Sequence, residues 1–309
     1  MAGVRGKGFA GLAWKKDFTT SLLLILPAVA VFAVFYIYPF FETFNLAMRD
    51  WNGISPLRTF VWFQNFQDLA SDSVWWQSVW QAFYITLFAL TFQNALAFAL
   101  AVACDREMKA RNFYRAVFFI PPVLSEVVVG FVWKWILDGG MQAGQYYGLL
   151  NHVLDSAGLR HLVTDWLANS RTALTCIAVV HSWKGFGWGF IMFLAGLQTI
   201  DHQLYEAARV DGANSRKTFW HVTVPMMLPV ISVVFILTIL GSMQAFVLIL
   251  AMTNEGPGYH TAVPVTRILM AMTGTKQYGY ACAMGVTFGA VLIGLSAALK
   301  KVEGRIRQI

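Results

Sequence analysis

The chain has 309 residues, 57% of them hydrophobic and 13% charged, with 12 Trp and 25 Phe. A soluble domain carries about 25% charged residues, so this composition excludes an ordinary soluble globular protein, and several runs exceed the ~20 apolar residues that cross a bilayer. The net charge of +7 falls in alternate loops and not in a patch interleaved with aromatics, which argues against nucleic-acid binding and reads as a topology signal.

Residues 1–18 form a polar, basic N-terminal tail with Arg5, Lys7, Lys15 and Lys16. Residues 19–47 are a long apolar run interrupted by Pro27 and Pro39. The run exceeds a signal-peptide core and no small-x-small pattern follows it, so it reads as a retained first span. A loop over 48–77 is poor in Lys and Arg and contains Trp62–Phe66. The second span is expected at about 78–104, and the basic loop Asp105–Arg111 leads to a third at about 114–137. Residues 138–171 form a longer polar loop with an expected surface helix near Tyr147–Leu154. A fourth span over about 172–197 precedes a polar stretch, Asp201–Pro229. The fifth span is expected at about 226–252, the loop 253–277 follows, and the sixth covers about 279–299. Residues 300–309 are a basic C-terminal tail. No 20–50-residue repeat or low-complexity linker divides the chain, so residues 19–299 read as one membrane domain.

Fifteen Lys and Arg fall in the N-terminal tail, the loop between spans two and three, the 201–225 stretch and the C-terminal tail; six fall in the other loops. The positive-inside rule then places both termini and the 201–225 stretch in the cytoplasm.

Cys104, Cys176 and Cys282 lie far apart in apolar runs and show neither zinc spacing nor a disulfide framework. The six histidines form no metal motif. His161 and Asp165 in the 138–171 loop lack the context of an acid–base pair. There is no G-x-x-x-x-G-K-[ST], so any ATP-driven work requires another subunit.

The 201–225 stretch has local signals for a hairpin. Asp201 caps a short helix and Gly212 ends it in a left-handed residue. Asn214 or Ser215 caps a second short helix that runs toward Pro225 and Pro229. In order the stretch holds Tyr205, Glu206-Ala207-Ala208, Asp211-Gly212-Ala213 and Val222-x-Val224-Pro225. This resembles the EAA loop of permease subunits in binding-protein-dependent ABC importers, with Asp201 standing where the family has Pro. Three further segments resemble the class-1 carbohydrate uptake permeases: Phe118–Ser125 with Val132–Trp135, His181–Trp188, and Thr253–Gly258. In the last, Glu255 replaces a Gly of the family's Thr-x-Gly-Gly-Pro turn. The C-terminus and the Trp62–Phe66 loop resemble the first, MalF-type permease of such pairs.

The resemblance implies an all-α polytopic fold of six transmembrane helices with a cytoplasmic EAA coupling hairpin, the type I ABC importer permease fold. It implies import of a sugar, oligosaccharide, polyol or glycerol phosphate by alternating access in a bacterial or archaeal cytoplasmic membrane. It also implies a second, different permease, two ATP-binding cassette subunits and an extracytoplasmic solute-binding protein as partners. No catalytic residue, metal or cofactor is expected on this chain; ATP and Mg belong to the partner ATPases. Coupling to the ATPase is expected at Tyr205, Glu206, Ala207, Ala208, Asp211, Gly212 and Ala213.

Polar groups within spans are costly and face a cavity or another helix. His181, Lys184, Gly185 and Trp188 recur at i, i+3, i+4 and i+7 on one helical face, and Thr238, Ser242 and Gln244 are the polar groups of the fifth span. These seven are the expected solute path; the competing reading is that they only bond neighbouring helices. An ion-coupled secondary transporter is the alternative function, and would need intramembrane carboxylates, of which the third span offers Glu126. A membrane enzyme would need a convergent nucleophile, metal or acid–base set, and none is visible.

Overall fold

Prolines shape the first apolar run. The computed structural model of the chain describes residues 9–105, 110–142, 145–146 and 148–306. Helix α1 (Phe9–Phe32) contains Pro27, and α2 (Tyr38–Ala47) has Pro39 in its first turn. Between them a π turn spans Ala33–Ile37, with the Tyr38 N–H on the Ala33 carbonyl. A proline removes a donor and crowds the carbonyl four residues back; a one-residue widening of the helix accommodates both. The helix begins at Phe9, inside the expected tail, while Arg5 and Lys7 lie outside the described residues.

A short ladder, β1 (Arg49–Asp50) with β2 (Thr59–Phe60), precedes α3 (Gln64–Ser71). The buried Asn65 amide donates to the Ala47 and Arg49 carbonyls at 2.9 and 3.0 Å, which fixes the Trp62–Phe66 segment against the end of the first span. Asp72 then caps α4 (Ser73–Phe88) by accepting the Val74 and Trp75 N–H groups. A π turn at Ala89–Gln93 joins α4 to α5 (Asn94–Asp105), so the second span is one helical run, Ser73–Asp105. Residues 106–109 of the basic loop lie outside the described residues.

The third span departs from the sequence expectation. It is not one helix but two, α6 (Arg111–Val123) and α7 (Glu126–Ile136), bent by 95° at the break. Pro121 and Pro122 deny two N–H groups to the last turn of α6, and Leu124 and Ser125 are extended. In the following loop β3 (Met141–Gln142) pairs with β4 (Gln145–Tyr146). The expected surface helix is α8 (Leu149–Ser156), pinned by the buried Asn151, which donates to the Thr164 carbonyl and accepts from Trp166 Nε1, each at 2.8 Å. His161 sits exposed on a short turn, and the Asp165 carboxylate accepts the Ala168 N–H at 3.2 Å.

Helix α9 (Ala173–Leu197) is the fourth span and the axis of the fold. Ile177, Ala178 and Val180 pack into one apolar cluster, and Phe186, Phe190, Phe193 and Leu194 into a second. After it come α10 (His202–Val210) and α11 (Ser215–Thr218), a π turn at Phe219–Thr223 and α12 (Val224–Met243). Here too the expectation needs correcting. The second hairpin helix is not separate: Ser215–Met243 is a single span, and the π turn absorbs Pro225 by giving the Val224 N–H to the Phe219 carbonyl. This span ends at Met243, not near 252. The chain then turns into α13 (Val247–Met252), α14 (Pro264–Thr273) and α15 (Tyr278–Ile306).

Between α13 and α14, Asn254 and Glu255 both adopt positive φ, +48° and +69°. The Glu255 carboxylate is buried and meets Arg267 at 3.1 Å, and Arg267 lies over the Tyr259 ring. Among the described residues, five helices are long and apolar enough to cross a membrane, and the bent pair α6–α7 makes a sixth when counted as one span.

Candidate functional site

A cavity of about 360 Å³ opens where α9, α12, the break in the third span and the π turn of the second span meet. Pockets of about 300–1,000 Å³ hold small molecules. Six of the seven expected path residues line it: His181, Lys184, Gly185, Trp188, Thr238 and Ser242. Gln244 does not. It caps the C-terminus of α12 and is exposed outside the cavity. It was expected only as a polar group of the fifth span, and it falls at the first residue after the helix ends, where the backbone stops placing side chains on the cavity face.

The lining groups fall into two kinds. Thr238 donates to Asn94 Oδ1 at 3.2 Å, and His181 Nε2 meets Ser242 Oγ at 3.0 Å. These hydroxyls tie α12 to α5 and α9, so they serve packing as well as lining. Lys184 Nζ stands 3.7 Å from the Glu126 carboxylate and 3.5 Å from the Pro122 carbonyl. Lys184 therefore bridges the break, touching the carbonyl end of α6 and the first residue of α7. A cation at a helix C-terminus and a carboxylate at a helix N-terminus each suit the local dipole. Broken spans of this kind frame binding sites in other transporter folds.

Two polar lining residues were not among the expected path residues. Glu126 appeared in the sequence reading only as an exception to the scarcity of carboxylates, and Gln93 did not appear at all. Gln93 is buried, and its Oε1 has no hydrogen-bond partner among the described residues. The π turn at Ala89–Gln93 shifts the register of the helix by one residue, and π turns concentrate at functional positions. The signal in the sequence is the Gln93-Asn94 doublet inside an otherwise apolar run.

Glycines bring these parts together. A Cβ on Gly185 would stand 2.6 Å from Gln93 Oε1, and one on Gly187 would collide with the Phe118 carbonyl and stand 2.6 Å from Pro122. The Phe118 carbonyl is the one that Pro122 leaves without its helical donor. Trp188 lies largely exposed along the cavity, with Phe119 edge-on at 5.6 Å.

The hairpin forms the second candidate surface. Asp201 accepts the Gln203 N–H and Asn214 the Lys217 N–H, both at 2.9 Å, so Asn214 and not Ser215 is the second cap. Gly212 has φ +75°, and the Ala213 N–H reaches the Ala208 carbonyl while the Gly212 N–H reaches that of Arg209. This pair of bonds is the Schellman termination. Tyr205 Oη meets Thr223 Oγ1 at 3.3 Å and ties α10 to the π turn of the fifth span. Glu206 pairs with His202 at 3.4 Å on the exposed side. No residue of α10 is buried, and Leu204, Val210 and Trp220 are exposed. Ala207, Asp211 and Gly212 are also exposed, and Ala208 and Ala213 are half-buried.

Residues 93–308 match the family model described as binding-protein-dependent transport system inner membrane component. The chain is 31% identical over 277 residues to the multiple sugar-binding transport system permease protein MsmF of Streptococcus mutans, covering 90% of this chain and 92% of that one. It is 30% identical over 280 residues to the diacetylchitobiose uptake system permease protein NgcF of Streptomyces coelicolor, covering 87% and 78%. With the trehalose/maltose transport system permease protein MalF of Thermococcus litoralis it shares 27% over 286 residues, covering 93% and 94%. A crystal structure of a bacterial ABC transporter that imports the acidic polysaccharide alginate contains a chain that superposes with a TM-score of 0.78 at 22% identity. The overlap covers 95% of this chain and 99% of that one.

Proposed function

This chain belongs to the family of binding-protein-dependent transport system inner membrane components, and from that premise we propose that it is one permease of an ABC importer for a sugar or oligosaccharide. The observation that carries the reading is the hairpin: a capped, Schellman-terminated helix with no buried residue, linked by the turn 211–214 to a membrane span that begins at Ser215. Apolar side chains such as Val210, held on a polar hairpin, suit contact with another protein. In this reading two ATP-binding subunits grip the hairpins of this chain and of a second, different permease. Closure around ATP and Mg moves α10, and the Ser215–Met243 helix transmits the movement to the cavity wall formed by Thr238 and Ser242. An extracytoplasmic binding protein delivers the solute to the cavity, where Trp188 offers a ring and Lys184, Glu126 and Gln93 offer hydrogen bonds. Both termini and the hairpin face the cytoplasm, in keeping with the basic residues. The membrane is the bacterial or archaeal cytoplasmic membrane, and no chemistry occurs on this chain. An ion-coupled carrier would need Glu126 as a relay, but that carboxylate is engaged by Lys184.

The test is made on the purified assembled complex, with ATPase retention, ATPase stimulation by loaded binding protein and vesicle uptake as readouts. Glu206→Lys reverses a charge at the docking surface and is expected to weaken or uncouple the ATPase. Trp188→Ala is expected to lower uptake while leaving the ATPase bound. Wild-type values for both variants in all three assays would sink the assignment of the two surfaces.

A further inference from the structure

We infer that the cavity is built for an uncharged solute and rejects anionic sugars, because Glu126 neutralises Lys184. The inference rests on the solute path proposed above and narrows its substrate class.

Among the described residues that line the cavity, Lys184 is the one Lys or Arg and Glu126 the one carboxylate. They face each other at 3.7 Å, so their charges cancel within the cavity. The Lys184 ammonium is also committed to the Pro122 carbonyl at 3.5 Å. An incoming phosphate or uronate would have to displace Glu126 from Lys184 or lie beside a second negative charge. Like charges placed together in a low-dielectric site repel strongly. A neutral sugar faces no such conflict.

The experiment uses the assembled complex in detergent and quenching of tryptophan fluorescence by added sugar, which bypasses the binding protein's own selectivity. The probes are neutral oligosaccharides of two to four residues, together with a trigalacturonate and its methyl ester, which share a shape and differ in charge. Wild type is expected to bind neutral oligosaccharides and to prefer the ester over the acid by about tenfold or more, the scale set by an unfavourable charge contact. Glu126→Gln frees the ammonium and is expected to bring the acid to parity or better. The double variant Glu126→Gln/Lys184→Gln keeps a neutral, hydrogen-bonded pair and is expected to retain the preference for the ester. If wild type binds acid and ester alike, or if Glu126→Gln leaves their ratio unchanged in a complex that still binds neutral sugar, the charge rule is wrong while the solute path stands. If no neutral probe binds wild type at all, the solute path itself is wrong, and this inference falls with it.

Discussion

Single residues carry the departures from the family pattern, and the structure gives a physical account of the largest. Glu255 stands where a glycine would be expected, and its φ is +69°. A non-glycine residue there costs about 1–3 kcal/mol. Its carboxylate is buried against Arg267, which offsets the strain with a charge-assisted hydrogen bond. Arg267→Met leaves a buried, unpaired carboxylate and is expected to destabilise the chain by about 3–5 kcal/mol. Glu255→Gly/Arg267→Met removes both charges and relaxes the backbone, so thermal unfolding of the detergent-solubilised chain should return most of the way to wild type. A double variant as unstable as the single one would mean that the Arg267 stem and its Tyr259 contact, and not the pair, hold the loop. Gly212 is the opposite case. Nothing lies within 4 Å of a Cβ there, so space is no obstacle and the φ of +75° is the whole argument. Gly212→Val should damage coupling more than Gly212→Ala, because a branched side chain is the least tolerant of positive φ. Vesicle uptake driven by ATP checks the order.

At the scale of elements, what the sequence revealed depends on whether the cause is local. The hairpin was legible because its caps and its glycine act within a few residues: Asp201, Gly212 and Asn214 all perform the expected role. The break in the third span was not, because Pro121-Pro122 sits inside an unbroken apolar run and hydropathy ignores backbone donors. Nor was the merger of the second hairpin helix with the fifth span, where Pro225 signalled a boundary and a π turn removed it. Six of the expected path residues share the cavity because α9 and α12 are regular there. Gln244 fell out where regularity ended, and Gln93 was hidden by a change of register. The packing of α9 on α6 yields a further prediction. Gly187→Ala drives a methyl group against the Phe118 carbonyl and should cost about 1–3 kcal/mol by overpacking. Gly289→Ala, in α15 with nothing near its Cβ, should be neutral or stabilising by up to about 1 kcal/mol. Equal thermal stability for the two variants would show that α9 does not depend on that close approach.

For the whole molecule, the basic asymmetry makes a prediction about sidedness. A reporter fused after Ile309 should be cytoplasmic, and one inserted at Gly158, in the loop that carries α8, should lie on the opposite face. Accessibility of both reporters from one side would break the six-span arrangement. The burial of the spans is also uneven. More than half of the α9 window is enclosed by this chain, while none of the first-span window is, although α2 meets α15 at its end. The two helices therefore answer to different constraints over evolutionary time. Along the first span, Leu, Ile, Val and Phe are interchangeable as far as this chain is concerned, since hydrophobicity and not shape is being selected. Along α9 each volume is dictated by a neighbour, down to glycines that admit no methyl group. Drift at constant hydrophobicity should accumulate in the first span and be purged from the fourth.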